Sequence, residues 1–193
     1  MKTILRIAVF SLFSVLFFLP QAPGSEAQTT TSEQPGQEGR AAISKLDFVL
    51  GEWEGEGWSL APSGERNRFW IKESYVYRGA KDLMDMEGRF RDIRPDGSVS
   101  PIEDYALGVL FYDPESKEYR MWHYSSNGTV FTVKMDMDIK ARTAQYTRKT
   151  ARGDLSKFTL VVGEDGVWVS KIEYLRPDST WFTVLEFRMK RVK

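Results

Sequence analysis

Leu46-Asp47-Phe48-Val49-Leu50-Gly51-Glu52-Trp53-Glu54-Gly55-Glu56-Gly57 is the most telling stretch of this chain. A short apolar segment ends at Gly51, and Trp53 follows two residues later. Gly55 and Gly57 take the next alternate positions. Alternate residues of a strand share one face, so these glycines lie on the face of Trp53. A face that is aromatic and then bare suits the first strand of a small, strongly curved barrel. Glycine lets the backbone coil there and leaves space inside. The stretch describes a container rather than a reaction.

Downstream of residue 51 the chain alternates between short β-type segments and turn signals, the spacing of an all-β sandwich or barrel. Strands are predicted at 51–60, 68–78, 82–93, 103–112, 117–124, 128–137, 142–149, 155–162, 167–175 and 181–191. The joints carry turn chemistry: Ala61-Pro62-Ser63-Gly64, Arg94-Pro95-Asp96-Gly97, Ser126-Asn127-Gly128, Glu164-Asp165-Gly166 and Arg176-Pro177-Asp178-Ser179. The one helix candidate is Ala41 to Leu50, a short plug using Ile43, Leu46, Phe48 and Leu50. Several strands alternate cleanly. Leu185, Phe187 and Met189 oppose Glu186, Arg188 and Lys190, and Phe131, Val133, Met135 and Met137 oppose Thr132, Lys134 and Asp136. One apolar and one charged face argue against an outer-membrane barrel, whose outer wall must meet lipid. The expected fold is all-β: a single antiparallel up-and-down barrel of about ten strands, closed so that no sheet edge is left. Ten strands leave somewhat more interior room than eight, which just hold one small ligand.

The first residues read as a targeting segment. Lys2 and Arg6 form a positive region, and the apolar run Ile7 to Leu19 has 13 residues. That length suits a signal-peptide core and falls short of the ~20 needed to span a bilayer. Ser25 and Ala27 offer the small residues that a signal peptidase reads, so cleavage is expected after Ala27 and the protein is expected to be secreted or periplasmic. Residues 28–40 are polar with Pro and Gly and read as a disordered leader, leaving 41–193 as one domain. There is no Cys, which excludes disulfides and thiolate metal sites. The 27 basic and 27 acidic residues balance, unlike the basic footprint of a nucleic-acid binder. Six Trp, eight Tyr and twelve Phe supply material for a core and for a pocket.

The combination of a short N-terminal helix, the Gly51-Glu52-Trp53 start and a meander of ten strands resembles the calycin superfamily. That superfamily includes lipocalins, fatty-acid-binding proteins and nitrobindin-like haem barrels. Leu50 to Gly57, the hairpin start Gly108 to Asp113 and the Trp segment Tyr119 to Tyr124 resemble a lipocalin-like group of bacterial proteins of unknown function. The resemblance spans most of 43–193. It implies that the first-strand Trp packs under a basic residue of the last strand and closes the barrel floor. By parity that residue is Arg191, with Arg188 as the alternative if the strand is bulged. Gly51, Trp53 and Arg191 are therefore expected to have a structural role.

The chemistry on offer is sparse. His123 is the only histidine, a candidate haem ligand, general base or plain wall residue. In nitrobindin-like barrels the resemblance implies an axial histidine near the C-terminus, and no histidine follows 123 here, so no cofactor is expected and haem is disfavoured. No Gly-x-Ser-x-Gly elbow appears. With one His and no Cys, only carboxylate sites for hard cations remain, and no metal is expected. Glu73 shares parity with Phe69, Ile71, Tyr75 and Tyr77. If that face points inward, Glu73 is a carboxyl in an apolar lining, which needs a partner or gains a raised pKa. The candidate ligand-binding residues are Glu73, Tyr75, Tyr77, Met84, Met86 and His123. The reading is an exported barrel binding a small hydrophobic or amphipathic molecule without catalysis, as a monomer or a dimer. Two alternatives stay open: a barrel enzyme using the interior carboxyl and tyrosines, and a filled barrel serving as an envelope interaction module.

Overall fold

The computed structural model describes residues 36–193. The expected signal segment and residues 28–35 of the expected leader lie outside the described residues. Helix α1 spans Gln37–Ile43 and runs on as a 3-10 segment, Ser44–Val49. It starts four residues ahead of the expected Ala41, so residues 37–40 are helical. Gly36, at φ 88°, supplies the left-handed turn before it. Ala42, Ile43, Leu46 and Val49 are buried against the barrel end.

Ten strands follow: β1 Gly51–Leu60, β2 Arg66–Arg78, β3 Leu83–Asp92, β4 Asp104–Asp113, β5 Glu118–Ser125, β6 Val130–Asp138, β7 Thr143–Lys149, β8 Leu155–Val162, β9 Val167–Leu175 and β10 Trp181–Arg191. Each pairs antiparallel with its sequence neighbours, and β1 pairs with β10, which closes the barrel. The fold is the expected up-and-down barrel with a short helix near its N-terminus. Turn chemistry explains the hairpins. Gly64, Gly97, Gly128 and Gly166 take positive φ, and Asp96, Asn127, Asp165 and Asp178 accept from backbone N–H groups two residues on.

The first-strand glycines are explained by close approach. At Gly51 (φ 108°) a side chain would strike the Lys193 carbonyl, the group that accepts from Glu52 N–H at 3.0 Å. At Gly55 it would strike the Arg188 backbone. At Gly57 a Cβ would lie 2.5 Å from Phe187 Cβ and 2.7 Å from Phe69 Cζ. The expectation that these glycines leave space inside is thus corrected. Bare positions let β10 lie close and let Phe69 and Phe187 fill the gap.

The barrel is packed at the plugged end. Trp53 and Trp168 meet edge to face at 5.0 Å, above Ile43, Leu46, Ile71 and Met189. The outer wall carries ion pairs such as Lys72–Glu52 at 2.9 Å, Arg91–Glu103 at 2.6 Å and Lys157–Glu173 at 2.9 Å. The outer face of β4 and β5 departs from this pattern. Leu107 and Val109 share it with Trp122, which is 37% exposed.

One joint of the barrel is short. β6 and β7 pair only through Asp136–Asp138 and Thr143–Gln145, whereas every other neighbouring pair is in register over six or more residues. From Met135 back to Val130, and from Tyr146 to Lys149, these two strands have no mutual ladder. The seam faces the unplugged end.

Candidate ligand cavity

The hairpin loops after β1, β3, β5, β7 and β9 gather at the end away from the plug. A cavity of about 550 Å³ opens there and reaches down to Val49 and Met84. Its size falls in the ordinary range for small-molecule sites. Its wall is aromatic. Phe69 contacts Phe90 and Phe187 at centroid distances of 6.1 and 6.3 Å, and Tyr146 lies between Phe131 at 5.7 Å and Phe158 at 5.1 Å.

Below a polar rim, Glu73 with Tyr75, His123 and Arg148 interrupt this lining. Glu73, on the inward face of β2, is 5% exposed. The Tyr75 hydroxyl donates to its Oε2 at 2.8 Å. Burial pushes the Glu73 carboxyl up to about 7, against the pull of that hydrogen bond. Burial, with the nearby carboxylate, pushes the Tyr75 hydroxyl well above its usual range. His123 stacks on Phe131 at 4.6 Å, with Nε2 2.7 Å from Ser125 Oγ. Burial, with the Arg148 charge nearby, lowers the imidazole to about 4, so it is neutral at pH 7. Arg148, one residue from the end of β7, places its guanidinium 4.3 Å over the Phe131 ring. Among the described residues no carboxylate lies within salt-bridge distance of it. Tyr146 is pushed up to about 12 by burial, with Arg148 pulling the other way.

Five of the six residues singled out for ligand contact line this cavity: Glu73, Tyr75, Met84, Met86 and His123. Met84 is also fully buried core. Tyr77 is the exception and a correction. Two residues past Tyr75, it has reached the plugged end, where its hydroxyl bonds Asp47 Oδ1 at 2.7 Å and the Ile43 carbonyl at 3.2 Å. Gly51, Trp53 and Arg191 also sit at that floor. Arg191 stands 4.6 Å over the Trp53 ring and donates to the Phe48 carbonyl at 2.8 Å, and Trp53 Nε1 donates to the Val49 carbonyl at 2.8 Å. The β10 bulge lies between Thr183 and Leu185, upstream of this region, so the parity from Leu185 to Arg191 is unbroken and Arg191 faces Trp53.

Sequence reasoning did not single out Tyr146, Arg148 or Trp168. The parity of Ala144, Tyr146 and Arg148 within 142–149 carried the first two, but an Arg at a strand end reads as a solvated residue. Among the described residues no three acidic or His side chains gather as metal ligands would. Asp82 and Asp85 pair with Arg40 and Arg78, and Asp138 accepts from the Ala141 N–H.

No protein-family model matches the sequence, and no curated protein matches it. Solved structures do match. Rv2717c from M. tuberculosis superposes with a TM-score of 0.58 at 10% identity, over 79% of this chain and 98% of that one. The S-type phycobiliprotein lyase CPES from Guillardia theta superposes with a TM-score of 0.53 at 9% identity, over 82% and 95%. At such identities the likeness is one of fold. The closed ten-strand barrel fits a calycin-like fold.

Proposed function

We propose that this protein is an exported barrel that holds a small apolar or amphipathic molecule in its interior and carries out no chemistry on it. The observation that carries this reading is the cavity itself: about 550 Å³, aromatic and Met-lined, open at one end and closed by a packed plug at the other. Burying apolar ligand surface there contributes about 25 cal/mol per Å² before ordering costs. Specificity comes from the few polar groups that face it: Glu73 with Tyr75, His123 and Arg148. No haem or other cofactor is part of the reading. Nε2 of His123 is engaged with Ser125, and its ring is stacked on Phe131. One structural relative is named for an activity on phycobiliproteins, and at 9% identity it lends this chain the fold and not the substrate.

A barrel enzyme is the second reading, and one observation favours it: a Glu73 carboxyl pushed up to about 7, suited to a general base at neutral pH. Among the described residues its one hydrogen-bond partner is Tyr75, itself a weak acid here. A filled-barrel module is disfavoured by the open cavity. Native mass spectrometry of the protein purified from its own organism separates a binding barrel from a filled one. A retained small molecule of a few hundred daltons is expected, on a chain that starts at Gln28. A protein that carries nothing, and binds no apolar probe when offered one, would remove the binding reading.

A further inference from the structure

Arg148 and the β6–β7 seam coincide, and together they say which way round a ligand lies. Among the described residues Arg148 is the one cation with a fixed positive charge lining the cavity. It is partly buried, covers Phe131 at 4.3 Å and has no carboxylate partner among the described residues. Its guanidinium meets the Phe131 ring and the Tyr146 hydroxyl, both neutral, so its charge stays available to an anion at the mouth. The acids that line the same space are placed otherwise. Glu73 lies deep and is capped by Tyr75. Asp92 and Asp104 are exposed rim residues on the β3–β4 side, and Asp104 already accepts from Ser126 Oγ at 3.1 Å.

The seam gives Arg148 its setting. Above Asp136 and Gln145 the two strands are joined by side chains, Phe131 against Tyr146 and Arg148 over Phe131, and not by ladder hydrogen bonds. This unladdered stretch runs to the open mouth of the cavity, where the cation stands partly exposed. A group seated there keeps contact with water, while an attached apolar body passes Phe158 and Met135 toward the plug.

We propose that the molecule held in this barrel lies tail-inward and carries an acidic head group, a carboxylate or phosphate, received by Arg148 at the β6–β7 seam. This rests on the binding reading above and names the chemical class of its ligand. Arg suits the role because its planar fork matches a carboxylate or phosphate through two parallel hydrogen bonds.

The test uses three probes of equal chain length, decanoate, decanol and decylamine, titrated by calorimetry at pH 7.5 into the full mature chain. Decanoate is expected to bind the wild type at least tenfold tighter than either of the others. In Arg148→Gln the decanoate-to-decanol affinity ratio is expected to fall to near one, and in Arg148→Lys to an intermediate value. The wild-type ranking needs no variant, so a misfolded Arg148→Gln leaves the proposal exposed to refutation. Decanol or decylamine binding as tightly as decanoate overturns it, with a decylamine preference pointing to the acids instead. A decanoate preference that survives intact in Arg148→Gln overturns the assignment to Arg148. If no probe binds at all, the binding reading fails and takes this proposal with it.

Discussion

Glu73 and His123 face one cavity and are displaced in opposite senses, which makes the protein's response to pH a sum of two opposed slopes. The folded-state carboxyl of Glu73 sits at about 7, above its ordinary 4.5, so the native state holds this proton more tightly than the unfolded chain. Its contribution is fully present below pH 4.5 and is lost as pH rises to 7, about 3 kcal/mol in all. His123 sits at about 4, below its ordinary 6.5, so the native state rejects a proton that the unfolded chain accepts. Its contribution is present above pH 6.5 and is lost as pH falls toward 4. Between pH 4.5 and 6.5 the two slopes oppose each other. Urea unfolding of His123→Gln is expected to fall in stability more steeply than wild type from pH 4.5 to 7. The same measurement on Glu73→Gln should turn toward a rise, with stability gained above pH 7. Three parallel curves would mean that neither group titrates as its surroundings require. Trp53 belongs to this scale too. It is 1% exposed and touches Trp168 and Arg191, so Trp53→Ala is expected to cost about 3–5 kcal/mol in urea unfolding. An unchanged melting temperature would contradict its place in the floor. Parity grouped Glu73 with Phe69, Ile71 and Tyr75, and the structure turned that face inward. Parity did not reveal that Glu73 finds a tyrosine rather than an arginine, because that depends on which side chain the neighbouring strands bring to it.

Strands and turns are the scale at which the sequence is most legible. β1, β8, β9 and β10 have the predicted bounds, and the others differ by at most two residues at either end. The reason is local: Pro, Gly, Asn and Asp at fixed offsets terminate each run, and hairpin pairing then follows from chain order. The discrepancies fall where alternation gives no signal. β2 starts at Arg66 because Arg66 and Asn67 pair with Leu60 and Ser59, which their polar side chains do not announce. The short β6–β7 joint was invisible for a related reason. Both strands alternate as well as any other, and how far two strands stay zipped is set by barrel curvature and by the side chains between them. The seam predicts dynamics. In hydrogen exchange, the seam-facing amides of residues 131–135 and 146–149 are expected to exchange faster than those of β8 and β9, which are paired on both sides. Protection equal to that of β9 would mean that the strands close in solution.

The whole molecule divides into a closed end and an open end, and that division assigns Tyr77. Side chains tie the plug to the barrel: Trp53 to Val49, Tyr77 to Asp47 and Ile43, Tyr112 to Glu38, Tyr119 to Ala42, Asp82 to Arg40 and Arg191 to Phe48. Tyr77→Phe removes one tie and no cavity contact. It is expected to cost about 1 kcal/mol in thermal unfolding and to leave probe affinity in the cavity unchanged. A loss of probe binding without a loss of stability would return Tyr77 to the site. The sequence by itself determined the barrel: its strand number and order, which residues share a strand face, and the start at Gly51 and Trp53. Those are consequences of periodicity and turn chemistry, which act between near neighbours. Tertiary structure decided the rest. Whether the glycine face is hollow or filled, where Tyr77 ends up, and that Arg148 has no carboxylate partner among the described residues beside a short ladder all depend on residues far apart in the chain. The closing of β10 on β1 brings Phe187 to Gly57, and the short β6–β7 ladder leaves Arg148 beside Phe131 at the mouth. No local pattern encodes either contact, because both arise only when the tenth strand meets the first and fixes the curvature of the whole wall.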